Sequence, residues 1–158
     1  MVVAIALVGC QSKAKEAPSE EAKVANAAEQ VAADAVLLIP SLGFAVDAPV
    51  GSSFAPDSDS SFFIRTADFG LLVREVAAET LQHAETEFSS THKVLHSEKD
   101  GNNYAIHAVY EASMGSNQHT VHVQREVGEK TYRCSGTTEI ETQIATMLRV
   151  CKSLRASD

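Results

Sequence analysis

The residues of this sequence that could carry chemistry are mainly six histidines and three cysteines. His92 and His96 have the four-residue spacing of zinc ligands on a helix. They fall in a predicted strand, however, where this spacing separates two side chains by about 13 Å. His107 and His122 are predicted to be diagonal neighbours on one polar face of a sheet.

The predicted polar face that carries His107 and His122 has two interpretations. With Glu111 or Glu126, the two histidines could bind a transition metal loosely. A lipoprotein that binds a metal or a small ligand on this face is therefore an alternative function. Alternatively, the face is solvated, or forms a polar layer beneath a helix. We name these histidines as candidates, assign no metal ligand and expect no cofactor.

The sequence contains no pattern typical of catalysis. A Gly-x-Ser-x-Gly nucleophile turn, a glycine-rich phosphate loop and a dinucleotide fingerprint are all missing. The acid pairs Glu85/Glu87 and Glu139/Glu141 are predicted to lie on solvated helix faces or near a helix N-terminus, not to form acid–base couples. We therefore predict no catalytic residues and no enzyme activity.

The third cysteine, Cys10, follows an uncharged apolar stretch, residues 1–9 (MVVAIALVG), and precedes a polar run. The tetrapeptide Leu7-Val8-Gly9-Cys10 resembles a bacterial lipobox. This resemblance implies cleavage before Cys10, attachment of diacylglycerol to its thiol and acylation of the new amino terminus. Two or three acyl chains anchor a protein stably. No Lys or Arg precedes Cys10, so either the true start lies upstream or the stretch is a buried strand that ends in an ordinary cysteine.

Residues 10–35 are predicted to be a tether between the membrane and a single folded domain, residues 36–158. The segment contains nine alanines between Ala14 and Ala35, mixed with Glu, Lys, Gln and Ser, and it has no aromatic residue. Such a composition cannot bury enough apolar surface to order itself against a core. It favours a semi-rigid spacer.

Charge and hydropathy narrow the class of protein. The 158 residues have a formal net charge of −8, which disfavours binding to the phosphate backbone of nucleic acids. No apolar run approaches the roughly 20 residues of a membrane-spanning helix. A lipid-anchored protein of the bacterial envelope, facing the periplasm and attached to the outer membrane, fits these features and the lipobox.

The domain is predicted to be α+β, with two helices packed on an antiparallel sheet. A strand at 43–49 precedes a loop at 51–61, one or two strands at 62–76 and a helix at about 77–90. Residues 92–136 are predicted to form a four-stranded meander. A second helix, with a capping box at Thr138–Glu141 and an apolar stripe from Ile140 to Leu154, ends the domain.

Turn residues and apolar alternation predict the register of the meander. The turn Gly128-Glu129 pairs Val123 with Cys134. Matching of the apolar faces pairs Ala108 with Val123. The hairpin signal Asp100-Gly101 brings Leu95 near Ile106.

Cys134 and Cys151 are predicted to form a disulfide. With Cys10 assigned to lipid, these two cysteines remain, and an exported chain meets an oxidising compartment. In the predicted register both side chains point to the core, and the last helix can fold back over its own strand. The alternative is a pair of buried free thiols that act as small hydrophobic residues.

Two local motifs suggest a fold family. The run Gly43-Phe44-Ala45-Val46-Asp47-Ala48-Pro49-Val50-Gly51 is similar to the opening strand of the Mog1/PsbP-like family, and Lys152-Ser153-Leu154-Arg155 is similar to the end of its last helix. The resemblance covers about residues 43–155. It implies a sandwich that binds or assembles without catalysis. Our first hypothesis for the function is a non-enzymatic module that binds a protein or an envelope component.

The assignment of Cys10 as the membrane anchor is testable by phase partition. Expressed in a bacterium with its native start, the protein should enter the detergent phase, because acyl chains provide its membrane affinity. The variant Cys10→Ser should move to the aqueous phase. Equal partition of the two proteins would show that the lipobox assignment is wrong.

Overall fold

A computed structural model describes residues 34–58, 60–111 and 115–157 of the chain, and of Ser41 only the backbone. The predicted signal segment, Cys10 and the tether up to residue 33 lie outside the described residues. No helix within the described ranges is long and apolar enough to cross a membrane. The α+β prediction is confirmed, with two α-helices and two antiparallel sheets in the part of the chain that the structure describes.

The larger sheet has seven antiparallel strands. In chain order they are β3 (Ser53–Ser58), β4 (Ser61–Arg65), β5 (Gly70–Val76), β6 (Lys93–Asp100), β7 (Asn103–Glu111), β8 (Asn117–Val127) and β9 (Lys130–Thr138). Their order across the sheet is β3-β4-β5-β9-β8-β7-β6. The predicted meander is therefore the half of the sheet formed by β6–β9, and β9 joins it to β3–β5.

The smaller sheet contains β1 (Asp34–Ile39), β2 (Phe44–Pro49) and β10 (Arg155–Ala156), with β2 in the centre. It brings the two ends of the domain together. Arg155 donates through both of its Nη atoms to the Asp47 carboxylate, at 2.8 and 2.9 Å. The Ser153 hydroxyl accepts from the Asp47 backbone N–H at 2.8 Å.

Helix α1 (Leu81–Ser89) and helix α2 (Ile144–Lys152) pack on opposite faces of the larger sheet. Thr80 caps α1, since its hydroxyl accepts from the backbone N–H of His83 at 3.2 Å. The predicted capping box of the last helix is not formed. Strand β9 continues through Thr138, a 3₁₀ turn follows at Glu141–Gln143, and the Thr138 hydroxyl accepts from Ile140 instead.

The main core lies between the larger sheet, the smaller sheet and α2. Its fully buried members include Phe44 from β2, Phe62 from β4, Val121 from β8 and Met147 from α2. A second, smaller cluster lies beneath α1. There Ala84 packs on the opposite face of β7 with its neighbours Tyr104, Ile106 and Ala108. Strands β7 and β8 are thus buried on both faces.

The register of β7 with β8 differs from the prediction. The sequence predicts Ala108 opposite Val123, whereas the structure pairs Ala105 with Val123 and Ala108 with Thr120. The prediction assumed one buried face, but both faces of these strands are buried, so apolar alternation does not fix their alignment.

The other two hairpins of the meander end in turns that begin with glycine. Gly128 has φ +64, and Val123 pairs with Cys134 as predicted. Gly101 has φ +62 and stands first in its turn, so Ser97, not Leu95, lies opposite Ile106.

The predicted loop at 51–61 is also wrong in part, because β3 occupies Ser53–Ser58. This edge strand is mostly exposed and contains Ser, Pro and Asp, so it shows no apolar alternation.

Cys134 in β9 and Cys151 in α2 are fully buried and lie at disulfide distance, with a Cα–Cα separation of 5.5 Å. Both side chains point into the main core, as the sequence predicts. A bond between them closes a loop across a sequence separation of 17 residues and attaches α2 to the larger sheet. We propose that this bond forms in the exported protein.

The proposed disulfide should be detected by mass spectrometry of the periplasm-expressed protein under non-reducing conditions. A loop of this length should contribute about 3 kcal/mol to the free energy of unfolding. The double variant Cys134→Ala/Cys151→Ala and the reduced wild type should therefore both lose about this amount in urea unfolding. Two thiols that alkylate freely in the folded wild type would rule out the bond.

Candidate functional site

A groove of about 560 Å³ opens on the α1 face of the larger sheet. Helix α1 contacts β6 and β7, and the groove beside it is lined by one end of β8, with Thr120, and by the neighbouring strands β9 and β5. One wall comes from the end of α1 and the residues after it, with Phe88 and His92. The floor comes from the sheet, with Leu72, His122 and Ser135. The groove is therefore a direct consequence of a short helix on a wide sheet.

A hydrogen-bonded network positions the start of α1 beside the groove. The Gln124 side chain, which is 1% exposed, binds the backbone of Glu79 in both directions: its Nε2 donates to the Glu79 carbonyl, and its Oε1 accepts from the Glu79 N–H, both at 3.0 Å. The Tyr104 hydroxyl donates to the Glu79 carboxylate at 2.6 Å, and an Arg133 Nη donates to the same oxygen. Glu79 thus links α1 to β7, β8 and β9.

The network alters the ionisation of its members. Burial raises the pKa of the Glu79 carboxyl, but the Tyr104 hydrogen bond and the Arg133 charge outweigh it and hold that pKa below its usual value. Burial, then the nearby Glu79 carboxylate, raise the pKa of Tyr104. Burial and the Arg133 charge lower the pKa of His122 to about 4, although Glu79 acts in the opposite direction. At neutral pH the network therefore contains a carboxylate, a guanidinium and a neutral imidazole.

Two arginines lie directly opposite each other on the groove side of the sheet. Arg74 of β5 pairs in register with Arg133 of β9, and both line the groove. The Nε of Arg133 is buried and has no hydrogen-bond partner among the described residues. Arg74 is exposed, and no carboxylate in the described part of the chain forms an ion pair with it.

The remaining lining combines apolar side chains with hydroxyl groups. Phe63 and Leu72 of the sheet face Phe88 of the helix across the groove, and Thr120, Ser135 and Thr137 supply hydroxyls. A surface that pairs an apolar floor with a few polar groups is typical of a ligand site. Within the described ranges, the groove contains no serine or cysteine nucleophile hydrogen-bonded to a base.

The structure does not bring His107 and His122 together. His107 pairs in register with Val121 and Ile106 with His122, so the two imidazoles point to opposite faces of the sheet. The register shift described above is the reason. His107 lies instead against His119, with His107 Nε2 to His119 Nδ1 at 3.0 Å. Burial, then the His119 charge, lower the pKa of His107.

The acidic residues named with these histidines lie elsewhere. Glu111 is exposed opposite Asn117 at the end of β7. Glu126 accepts a hydrogen bond from Asn102 at 2.9 Å. The transition-metal site that the sequence suggested around His107 and His122 is therefore not assembled.

The prediction that His92 and His96 lie in a strand is confirmed for His96 and wrong for His92. His92 follows α1 outside any strand, whereas His96 lies in β6 opposite His107. In the described part of the chain, one histidine- and carboxylate-bearing group, Glu79, His83 and Glu87, has ligand atoms within 4.8 Å of one another. Its Glu79 carboxylate is already paired with Arg133, so this group offers a cation only a partly neutralised site.

Sequence reasoning missed both groove arginines and Glu79. Arg74 and Arg133 are nearly 60 positions apart, and their contact depends on the pairing of β5 with β9. The one local signal is that Arg133 precedes the inward-facing Cys134, and this alternation places it on the opposite face of β9.

The network predicts a loss of stability in acid. A histidine whose pKa is about 4 in the folded protein and 6.5 in the unfolded chain takes up a proton on unfolding between these values. The contribution of the neutral His122 to the free energy of unfolding is therefore fully present above pH 6.5, and it is lost as the pH falls toward 4. Between pH 7 and pH 5, His122 should account for a loss of about 2 kcal/mol in the free energy of unfolding.

Urea unfolding at the two pH values tests this expectation. The variant His122→Gln should lose about 2 kcal/mol less than the wild type on the same change of pH. The matched variant His83→Gln, whose side chain is 61% exposed, should follow the wild type. An unchanged pH dependence in His122→Gln would contradict the low pKa.

Comparison with solved structures identifies the fold. The chain is similar to the solution structure of cyanobacterial PsbP (CyanoP) from Synechocystis sp. PCC 6803, with a TM-score of 0.51 and 13% identity over 80% of this chain and 94% of that one. A crystal structure from Bacteroides thetaiotaomicron VPI-5482 matches with a TM-score of 0.48 and 14% identity over 78% of this chain. This chain spans 48% of the Bacteroides protein.

No family model matches the sequence, and no curated protein matches it. The likeness to CyanoP, at 13% identity, is one of fold. The PsbP-like fold that two short motifs predicted is thus supported, with a larger sheet than the four-stranded meander of the prediction.

Proposed function

We propose that this protein is a non-enzymatic binding module of the bacterial envelope, held to a membrane by lipid at Cys10, and that the groove beside α1 is its binding site. The observation that carries the proposal is the open half of the α1 face. Most of the other face of the sheet is closed by α2 and the smaller sheet, whereas this one exposes apolar, hydroxyl and arginine side chains together.

The geometry favours binding over catalysis. The ionisable groups beside the groove interact with one another. Glu79 accepts hydrogen bonds from Tyr104 and Arg133, and its carboxylate lies 3.6 Å from His122 Nε2. A His122 pKa of about 4 makes that imidazole a weak base at neutral pH. These groups hold the shape of the site and leave Arg74 and the hydroxyls to meet a ligand.

The membrane location rests on the sequence. The Leu7-Val8-Gly9-Cys10 motif resembles a lipobox, and the polar, alanine-rich segment after it has the composition of a spacer. An anchored domain of this kind meets ligands at or near the membrane surface. A partner carried by the envelope, such as a protein or a lipid-derived molecule, is therefore the kind that the proposal requires.

Site-directed photocrosslinking in cells tests whether the groove is occupied. A benzoylphenylalanine placed at Thr137, an exposed residue that lines the groove, should give an adduct, because its ring lies beside the bound partner. The same group at Thr86, which is exposed on α1 but does not line the groove, is the matched control and should give none. Equal labelling from both positions, or none from Thr137, would contradict the groove as the binding site.

A further inference from the structure

The groove pairs two like charges in a position that costs stability. Arg74 and Arg133 stand opposite each other on adjacent strands, where side chains are about 5 Å apart at Cβ and like charges repel. Both guanidinium charges also depress the pKa of His122, so both act at the same side of the sheet. An arrangement that destabilises the empty protein is expected where an anion relieves the repulsion.

The two arginines are unequally neutralised. Arg133 donates one Nη to Glu79 and keeps a buried Nε without a partner among the described residues. A buried donor left without a hydrogen bond lowers the stability of the folded protein. Arg74 forms no ion pair within the described ranges. Guanidinium donors are therefore available at the groove on Arg74, whereas burial closes the Nε of Arg133 off from a ligand.

Glu79 offsets the charge of Arg133, but no carboxylate among the described residues forms an ion pair with Arg74. Among the described residues, the one acidic residue in the lining is Glu87, on the helix wall. Its carboxylate lies 3.5 Å from His83 Nε2, and its side chain is exposed. His122 is neutral at pH 7 because of its low pKa. The charge that faces the floor of the groove is thus cationic, in a protein whose formal net charge is −8.

Polar and apolar groups are arranged side by side. The hydroxyls of Thr120, Ser135 and Thr137 form no hydrogen bond to any other described residue, so all three can donate. Phe63, Leu72 and Phe88 provide the apolar part of the lining. A ligand that satisfies both parts must carry an oxyanion on an apolar body.

We propose that the groove binds an amphipathic anion, a carboxylate or phosphate attached to an apolar chain or ring, with its oxyanion on Arg74 and Arg133. This inference rests on the proposed function, since it names the ligand class for the same groove. A planar guanidinium pair with adjacent hydroxyls is suited to oxyanion geometry. Such an anion can be a free molecule or the headgroup of a membrane lipid.

A set of ligands that share an alkyl chain of similar length and differ in the charge of the head group tests whether the groove selects anions. Octyl phosphate and octanoate, added below their micelle concentrations to the ¹⁵N-labelled full chain, should shift the amide resonances of the groove residues. Octyltrimethylammonium, with the same chain and a positive head, should bind at least tenfold more weakly. The full chain with Cys10→Ser serves as the soluble protein.

Variants locate the oxyanion. Arg74→Gln, at an exposed position, should weaken octyl phosphate binding about tenfold without loss of the fold, which the amide spectrum itself monitors. Arg65→Gln removes the same charge from the neighbouring strand β4 at an exposed position outside the groove lining, and it should leave binding within twofold of the wild type. Equal losses from Arg74→Gln and Arg65→Gln would show general attraction and overturn the proposal.

The source of the anion is distinguished by vesicles. Arg74-dependent binding to phosphatidylglycerol vesicles, and not to phosphatidylcholine vesicles, would assign the site to lipid headgroups. Binding of soluble octyl phosphate without that vesicle response would assign it to a free ligand.

Two outcomes would refute the proposal that the groove selects an anion and would leave the proposed binding function intact. If the three octyl compounds bind with equal affinity, the groove binds apolar chains and its arginines do not select anions, and the proposed function remains. If none binds while Thr137 crosslinks in cells, the groove has a partner of another class.

Discussion

Strand β8, which lies inside the larger sheet next to its central strand β9, must bury both of its faces, and the rest of the structure follows from this constraint. On one face Val121 and Val123 enter the main core, and on the other His122 and Gln124 are buried beneath the start of α1. The second face carries polar groups, so burial requires hydrogen-bond partners. Gln124 obtains them from the backbone of Glu79, and His122 from Tyr104 at 3.2 Å. These bonds fix where α1 begins and which strands it covers.

A helix placed in this way cannot close the sheet. Seven strands at their usual spacing extend over about 29 Å from the first axis to the last, whereas one helix with its side chains is about 10 Å wide. The opposite face of the larger sheet is covered more fully, since the three-stranded sheet and α2 pack there together. Helix α2 packs closely on β9. A Cβ on Gly136 of β9 would lie 2.9 Å from the methyl group of Met147 in α2 and 2.6 Å from the Gly70 carbonyl oxygen of β5. The open groove and the tight core are therefore two results of the same layering.

The sequence predicts those features that depend on local geometry. The turn at Gly128 establishes the β8–β9 register, which brings Cys134 to the same side as Cys151. It does not predict β3, because an exposed edge strand has no buried alternate positions, or the β7–β8 register, because Ala105 and Ile106 are both buried. The groove could not be predicted for a related reason. It depends on the pairing of β9 with β5, some 60 residues away in the sequence, and no local pattern encodes that order.

The excess of negative charge and the arginine pair act over different distances. The Debye length at physiological ionic strength is about 8 Å, so exposed carboxylates farther from the groove than this are largely screened. In the proposed complex Arg74 and Arg133 contact the anion directly, and the side chain of Arg133 is only 18% exposed, where screening is weaker. At low ionic strength the net charge of −8 opposes the approach of any anion, whereas at physiological ionic strength the local guanidinium groups dominate. Glu79 is the balancing element, because it offsets the buried charge of Arg133 in the empty site and leaves the exposed charge of Arg74 uncompensated.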